Sequence, residues 1–352
     1  MAEKKINTQK HIENFCLLGE YIHNYLNNKI DSALNINIVL TSAINKSIYE
    51  NGFFTETNIR FALKSIAYML SRENLYFWTS KYQFSDNKPK TIGVVLAGNI
   101  PLVGFHDFLC VIICGNKFFG KLSHNDKYLL PALAEVLVEL DQNYKNRISF
   151  TDNRLEKFDA VITTGSNNTA RYFHYYFDKY PNIIRKNRNS IAILNGKETL
   201  AQLTLLARDI FMYFGLGCRN VSKLFVPEKY DFSLLMEACT PYSSVIDHHK
   251  YKNNYDYYKT IFIMTNQPFI DGGFFLLNEN VTLHNPVSIV SFEYYTSEEK
   301  IRSFVKSEKE NLQCIISENF DVDNNIRFGR AQTPCLWDYA DNVDTLQFLL
   351  NL

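Results

Sequence analysis

The sequence predicts an α/β protein: a doubly wound parallel sheet preceded by a helical segment and followed by a second α/β domain. Three observations carry this. From Thr91 onward, short β-rich runs alternate with helical patterns, an order that calls for parallel strands and right-handed crossovers. Residues 9–80 instead keep their apolar positions at helical spacing. A chain of 352 residues, 46% hydrophobic and 21% charged, has the length of two domains and the composition of a globular protein.

Within the helical segment, Asn51-Gly52 breaks the periodicity and Thr55 offers a fresh N-cap. Ser85 to Lys90 is a polar linker, and the texture changes after it. The spacing predicts strands over 91–97, 117–121, 158–163 and 190–194, with helices over 102–114, 128–143 and 167–178 between them. A long amphipathic helix follows, with Leu200, Leu203, Leu206, Ile210 and Phe214 on one stripe. It ends at Gly215-Leu216-Gly217-Cys218. Lys223 to Val226 then opens a second β-containing set that includes 260–264, 274–277, 287–292 and 312–317. The expected domains are 1–85 (helical, packed on the next), 86–195 (the first sheet), 196–326 (the second set) and a tail, 327–352.

Several function classes are disfavoured at this level. Thirty-seven basic and 37 acidic residues balance, so binding nucleic acid through bulk charge is not expected. The most apolar run, Leu102 to Cys114, is interrupted by His106 and Asp107, and no membrane span is expected. The N-terminal residues lack a secretory pattern. The seven cysteines (16, 110, 114, 218, 239, 314 and 335) form no zinc-spaced set, so no metal is expected. They read as reduced thiols of a cytoplasmic protein.

Three short segments could carry chemistry. Cys218 lies between glycines and an arginine directly after a helix, where backbone can approach a ligand, although a small core residue is the plainer reading of any single thiol. Asn99, in Gly98-Asn99-Ile100-Pro101, follows the first strand at the carboxyl edge of the sheet, where open α/β folds place ligands. Its amide could donate to an oxyanion, or the segment could be only a turn into a helix. Thr164-Gly165-Ser166 joins a strand to a helix, so its N–H groups could hold a phosphate or simply cap the helix. No Walker A or GxGxxG fingerprint occurs.

With the Gly115-Asn116 turn and Lys121-Leu122-Ser123, these segments stand in an order that resembles the aldehyde dehydrogenase superfamily. Asn285-Pro286-Val287 is similar to its later Phe-Gly-Pro-Val segment. Phe328-Gly329-Arg330-Ala331-Gln332 and Trp337-Asp338-Tyr339-Ala340-Asp341 look like its acyl-CoA reductase branch, which includes the fatty acyl reductase of bacterial bioluminescence. The resemblance covers about residues 90–345.

The resemblance implies an aldehyde-dehydrogenase-like fold with a nicotinamide-cofactor domain and a catalytic domain. Cys218 would be the nucleophile, and Asn99 with the Cys218 N–H the oxyanion hole. Lys121 and Ser123 would hold the adenosine ribose, Thr164, Gly165 and Ser166 the cofactor pyrophosphate, and His284 would take the place of an aromatic beside the nicotinamide. Matching Leu194-Asn195-Gly196-Lys197 to the family's Leu-Gly-Gly-Lys puts Ile193 at the water-activating Glu and Phe108 at its supporting Lys. The second family Glu falls near Thr282. Without that base, an acyl-enzyme would be spared hydrolysis, which suits a reductase.

His124 rather than an acid follows Lys121-Leu122-Ser123, which favours NADPH over NADH. The expected partner is an acyl-CoA or acyl-carrier thioester, and a homo-oligomer is left open. The expected activity is acyl-thioester reduction to an aldehyde. Two rivals remain: a CoA-acylating aldehyde dehydrogenase working oxidatively, and a silent scaffold binding an acyl-carrier partner. His106-Asp107 could line an acyl entrance or form a satisfied polar spot on a helix. His248-His249 reads as solvated loop, and 298–310 as a solvated charged face.

Overall fold

In the computed structural model, which describes residues 8–29, 36–84, 88–322 and 325–352, the chain divides after Asn187 and again after Thr333. One unit holds both ends of the chain, and the other is the stretch between.

The first unit begins with α1 (Thr8–Leu26), α2 (Ile36–Glu50), α3 (Glu56–Met69) and α4 (Arg72–Thr79). α1 turns Ile12, Phe15, Leu18 and Ile22 inward, the stripe its period dictates. Thr55 caps α3 by accepting the Asn58 N–H at 3.1 Å, and Ser71 caps α4. Of the expected linker, 85–87 lie outside the described residues.

The sheet of this unit contains β1 (Thr91–Val95), β2 (Lys117–Lys121), β3 (Ile148–Thr151), β4 (Ala160–Thr164) and β5 (Asn182–Arg185). Between them run α5 (Phe105–Ile113), α6 (Leu129–Leu140) and α7 (Asn167–Phe177). Every pair is parallel, in the order β3-β2-β1-β4-β5. The winding reverses between β1 and β4, the switch point at which doubly wound sheets open a crevice at their carboxyl edge. β3 and β5 were not anticipated. They are the edge strands, four residues each, in which polar and apolar residues mix and leave no apolar run to read.

The second unit contains β6 (Asn189–Ile193), α8 (Leu200–Phe211), β7 (Val221–Pro227), α9 (Ser233–Cys239), α10 (His249–Met264) and β8 (Ile270–Asp271). It continues with β9 (Leu276–Glu279), β10 (Ile289–Tyr295), α11 (Glu298–Ser307), β11 (Leu312–Ile316) and β12 (Asn325–Ile326). Its sheet runs β12-β11-β6-β7-β10-β9-β8, parallel except for the β8–β9 pair. Strand alternation sends Ala192 and Leu194 to the core shared with α8 and α9. Ile191 and Ile193 go to the opposite core, with Phe225 and Ile301.

Two expectations are corrected here. The strand at 190–194, expected to finish the first sheet, lies inside the second, paired with β7 and β11. Its apolar run shows burial on both faces but not in which sheet. Residues 260–264, expected as a strand, are the last turn of α10. The β-branched stretch Thr260-Ile261-Phe262-Ile263 suggests a strand, but Tyr251, Tyr255 and Phe262 are buried at helical spacing.

Residues 334–352 return to the first unit and end in α12 (Thr345–Leu350). There Arg185 makes a bidentate bond to Asp107 at 2.6 and 2.9 Å and a third to the Thr345 hydroxyl at 2.8 Å, joining β5, α5 and α12. Trp78 donates to the Tyr339 hydroxyl at 2.8 Å, so the Trp337–Asp341 motif is anchored on α4. Among the described residues, no helix is long and apolar enough to cross a membrane, and no group of three or more His, Cys, Asp or Glu side chains could hold a metal ion.

Candidate active site

Each unit gathers its expected site residues at one sheet edge. In the first unit, Lys121 ends β2, Thr164 ends β4, and Asn99 follows β1, so all three stand at the carboxyl edge of three adjacent strands. Asn99 and His124 are exposed, and Lys121, Ser123, Thr164 and Gly165 are half-buried. The approach of the β1 and β2 loops is tight. A Cβ on Gly98 would lie 2.5 Å from the Ser123 hydroxyl oxygen and 3.0 Å from the Asp126 nitrogen, so only glycine allows this contact beside Asn99.

Asp126, not anticipated from sequence, ties the same loops together. Its carboxylate accepts the Leu102 N–H at 2.9 Å, and burial pushes its pKa up to about 6 against the N–H groups of Leu102 and Leu129. Ser166 caps α7 by accepting the Thr169 N–H at 3.2 Å. The Lys121 ammonium donates to the Asp152 carbonyl at 3.1 Å.

Asp107 is buried and His106 half-buried, each held by the first unit. His106 pairs through Nε2 with the Leu336 carbonyl at 2.8 Å, and burial lowers its pKa. Asp107 is committed to Arg185. Phe108 is fully buried against the rings of Phe15, Phe105 and Phe118.

In the second unit, the expected residues Cys218 and His284 stand at the amino edge of the sheet. Cys218 lies in the loop between α8 and β7, half-buried. Its carbonyl accepts the Ser190 hydroxyl at 2.9 Å, and the same oxygen of Ser190 accepts the Cys314 N–H at 3.1 Å. Four residues on, Ser222 donates to the Leu283 carbonyl at 3.0 Å, and Asn285 donates to the Ser222 carbonyl at 2.6 Å. The loop with the exposed His284 is thus fastened to the start of β7, on the edge that carries Cys218. A small, solvent-open cleft lies there, lined by Gly217, Phe214, Tyr251, Asn285 and Val287 among others. His248, expected in solvated loop, packs against Phe214 with ring centroids 4.7 Å apart and planes tilted by 44°.

This geometry corrects one correspondence. Leu194–Lys197 follow the carboxyl end of β6, where Ile193 is in register with Phe225, whereas Cys218 precedes the amino end of β7. Four residues of strand, 221 to 225, span roughly 13 Å. Ile193 also turns into the core with Phe225 and Ile301. A base at 193 would not reach Cys218, so the missing glutamate there carries no argument about water.

Against known proteins, the profile of the family described as acyl-CoA reductase (LuxC) matches residues 50–238. No curated protein matches the chain in sequence. Solved structures of similar fold include the aldehyde dehydrogenase KauB from Pseudomonas aeruginosa (12% identity, TM-score 0.63, 92% of this chain and 74% of that one). The Mycobacterium tuberculosis aldehyde dehydrogenase complexed with NAD+ is another (11%, TM-score 0.61, 91% and 74%). A third is a P. syringae AldA indole-3-acetaldehyde dehydrogenase variant in complex with NAD+ and IAA (10%, TM-score 0.63, 92% and 74%). At such identities the likeness shows the fold, which is that of the aldehyde dehydrogenases. The profile spans more than half of the sequence, and the chain belongs to the LuxC acyl-CoA reductase family.

Proposed function

We propose that the chain reduces an acyl thioester to an aldehyde through an acyl-enzyme on Cys218. The observation that carries this reading is the Cys218 loop. Its half-buried thiol sits on a segment whose main chain is held by Ser190, beside a cleft, in a member of an acyl-CoA reductase family. The cysteine thiolate attacks the thioester carbonyl, and the tetrahedral intermediate collapses by breaking the substrate's own C–S bond, releasing its thiolate and exchanging one thioester for another at little cost. Asn99 and the Cys218 N–H are assigned to the oxyanion. After reduction, the thiohemiacetal on Cys218 collapses to free aldehyde and thiolate.

The residues of the first unit fit a nicotinamide dinucleotide. Lys121, the Ser123 hydroxyl and the Ser166-capped start of α7 form a donor set for ribose and phosphate at the switch point of the sheet. The M. tuberculosis and P. syringae structures hold NAD+. When bound, the reduced cofactor supplies hydride to the acyl carbon. His124, exposed where an acid would repel a 2′-phosphate, favours NADPH, and His284 is assigned to the nicotinamide side. Residues 86–187 are assigned to the cofactor and 188–333 to catalysis. The test is Cys218→Ala, which is expected to abolish both thioester cleavage and NADPH oxidation while leaving nucleotide affinity within about twofold. Retained cleavage refutes the assignment.

A further inference from the structure

The nucleophile loop is entered through strained backbone. Tyr213 (φ 55°) and Phe214 (φ 58°) are both left-handed, followed by Gly215 (φ 75°). Two consecutive bulky residues in that region are costly and persist only where the surroundings over-determine them. One buried side chain does much of this. Asn220, 3% exposed, donates through Nδ2 to three carbonyls at the end of α8: Asp209 at 3.0 Å, Ile210 at 3.2 Å and Met212 at 2.8 Å. Its Oδ1 accepts the Gly217 N–H at 2.8 Å, and its own N–H donates to the Gly217 carbonyl at 3.0 Å. Asn220 therefore closes a turn around Cys218 and Arg219 and fastens it to the helix before it.

A second tether comes from the Phe328–Gln332 motif. Arg219 donates through Nε to the Ala331 carbonyl at 2.6 Å. Gly329 donates to the Asp209 carboxylate at 2.5 Å, and Gln332 to the Asp209 carbonyl at 3.3 Å. Gly329 has φ 76°, and a Cβ there would lie 2.8 Å from the Arg208 guanidinium, so this buttress requires glycine.

We infer that Asn220 is a positioning residue that, with the 328–332 segment as buttress, sets the direction in which the Cys218 thiolate meets a bound thioester carbonyl. This rests on the proposed acyl transfer at Cys218. Acylation requires the sulfur to be aimed at a bound carbonyl, and a misplacement of about 1 Å costs something like 10²-fold. Alkylation by a small, freely diffusing reagent carries no such demand.

The experiment compares wild type with Asn220→Ala and, as a milder change at the partly exposed tether, Arg219→Leu. Two rates are read: single-turnover acylation of Cys218 by an acyl-CoA, and alkylation of Cys218 by iodoacetamide. The expected result for Asn220→Ala is acylation slowed on the order of 10²-fold with alkylation within about threefold, and for Arg219→Leu the same split at about tenfold. Unchanged acylation overturns the inference, as does an equal fall in both rates, which would mark a role in folding alone. A wild type that no acyl-CoA acylates would overturn the functional reading, and the inference with it.

Discussion

Asp209, buried on α8, offers a sharp test of how the second unit is built. Its carboxylate accepts the Gly329 N–H, while its Oδ1 is buried without a hydrogen-bond partner among the described residues. Burial pushes its pKa up to about 7, against the N–H groups of Gly329 and Ala331 and the guanidiniums of Arg208 and Arg219. In an unfolded chain the same group titrates near its ordinary 3.8. Below that value both states are protonated and the group contributes no pH dependence. Between 3.8 and 7 the folded state keeps a proton that the unfolded state has released, so stability falls as pH rises, and it levels off above 7. Three units at about 1.4 kcal/mol each bound the loss at roughly 4 kcal/mol.

Asp209→Asn removes the titration while its amide oxygen can still accept from Gly329. The variant is therefore expected to gain stability relative to wild type steadily from pH 4 to 7, by up to about 4 kcal/mol, with no further change at pH 8. Both tryptophans, Trp78 and Trp337, lie in the first unit, so fluorescence would miss the transition of interest. Urea titrations at each pH, followed by a brief deuterium pulse and mass analysis of peptides from β6 and β7, read the second unit directly. A difference between variant and wild type that does not change with pH would mean that Asp209 is already ionised in the folded state, and the burial argument would fail.

Two further outcomes are expected. Asn99→Ala should lower turnover about 10²-fold with little change in nucleotide affinity, and an effect on affinity alone would remove Asn99 from the oxyanion role. At pH 8, iodoacetamide mapped by peptide mass should reach the half-buried Cys218 and Cys335 first, because burial raises the pKa of Cys16 to about 11 and of Cys239 to about 12. Early labelling of Cys16 or Cys239 would contradict the packing around them.

The innermost strands of the first sheet, β1 and β4, were legible because each is a largely buried, β-branched run followed by a helix-length pattern. The edge strands were not, since Ile148–Thr151 and Asn182–Arg185 are four residues each and mix polar with apolar positions. Sheet membership was also hidden: Ser190–Ile193 would read the same in either sheet, and only its pairing with β7 and β11 decides. Cys218 could be picked out by its flanking glycines, and Gly98-Asn99 by its place after a strand. The groups that position them could not. Ser190 acts on Cys218 across 28 residues, and Asp209 meets Gly329 across 120. Asn220 reads in sequence as an ordinary polar residue before a strand, and only the fold brings three helix-end carbonyls to its amide. The misplaced glutamate correspondence has the same origin, because a four-residue motif match carries no information about which end of the strand faces the thiol.

The most direct test of the account is the intact mass of the protein after mixing with acyl-CoAs of several lengths, first alone and then with NADPH. One acyl adduct is expected, located on Cys218, that persists without NADPH and is discharged by it with release of aldehyde. An adduct on another cysteine, or one that NADPH leaves in place, would contradict it.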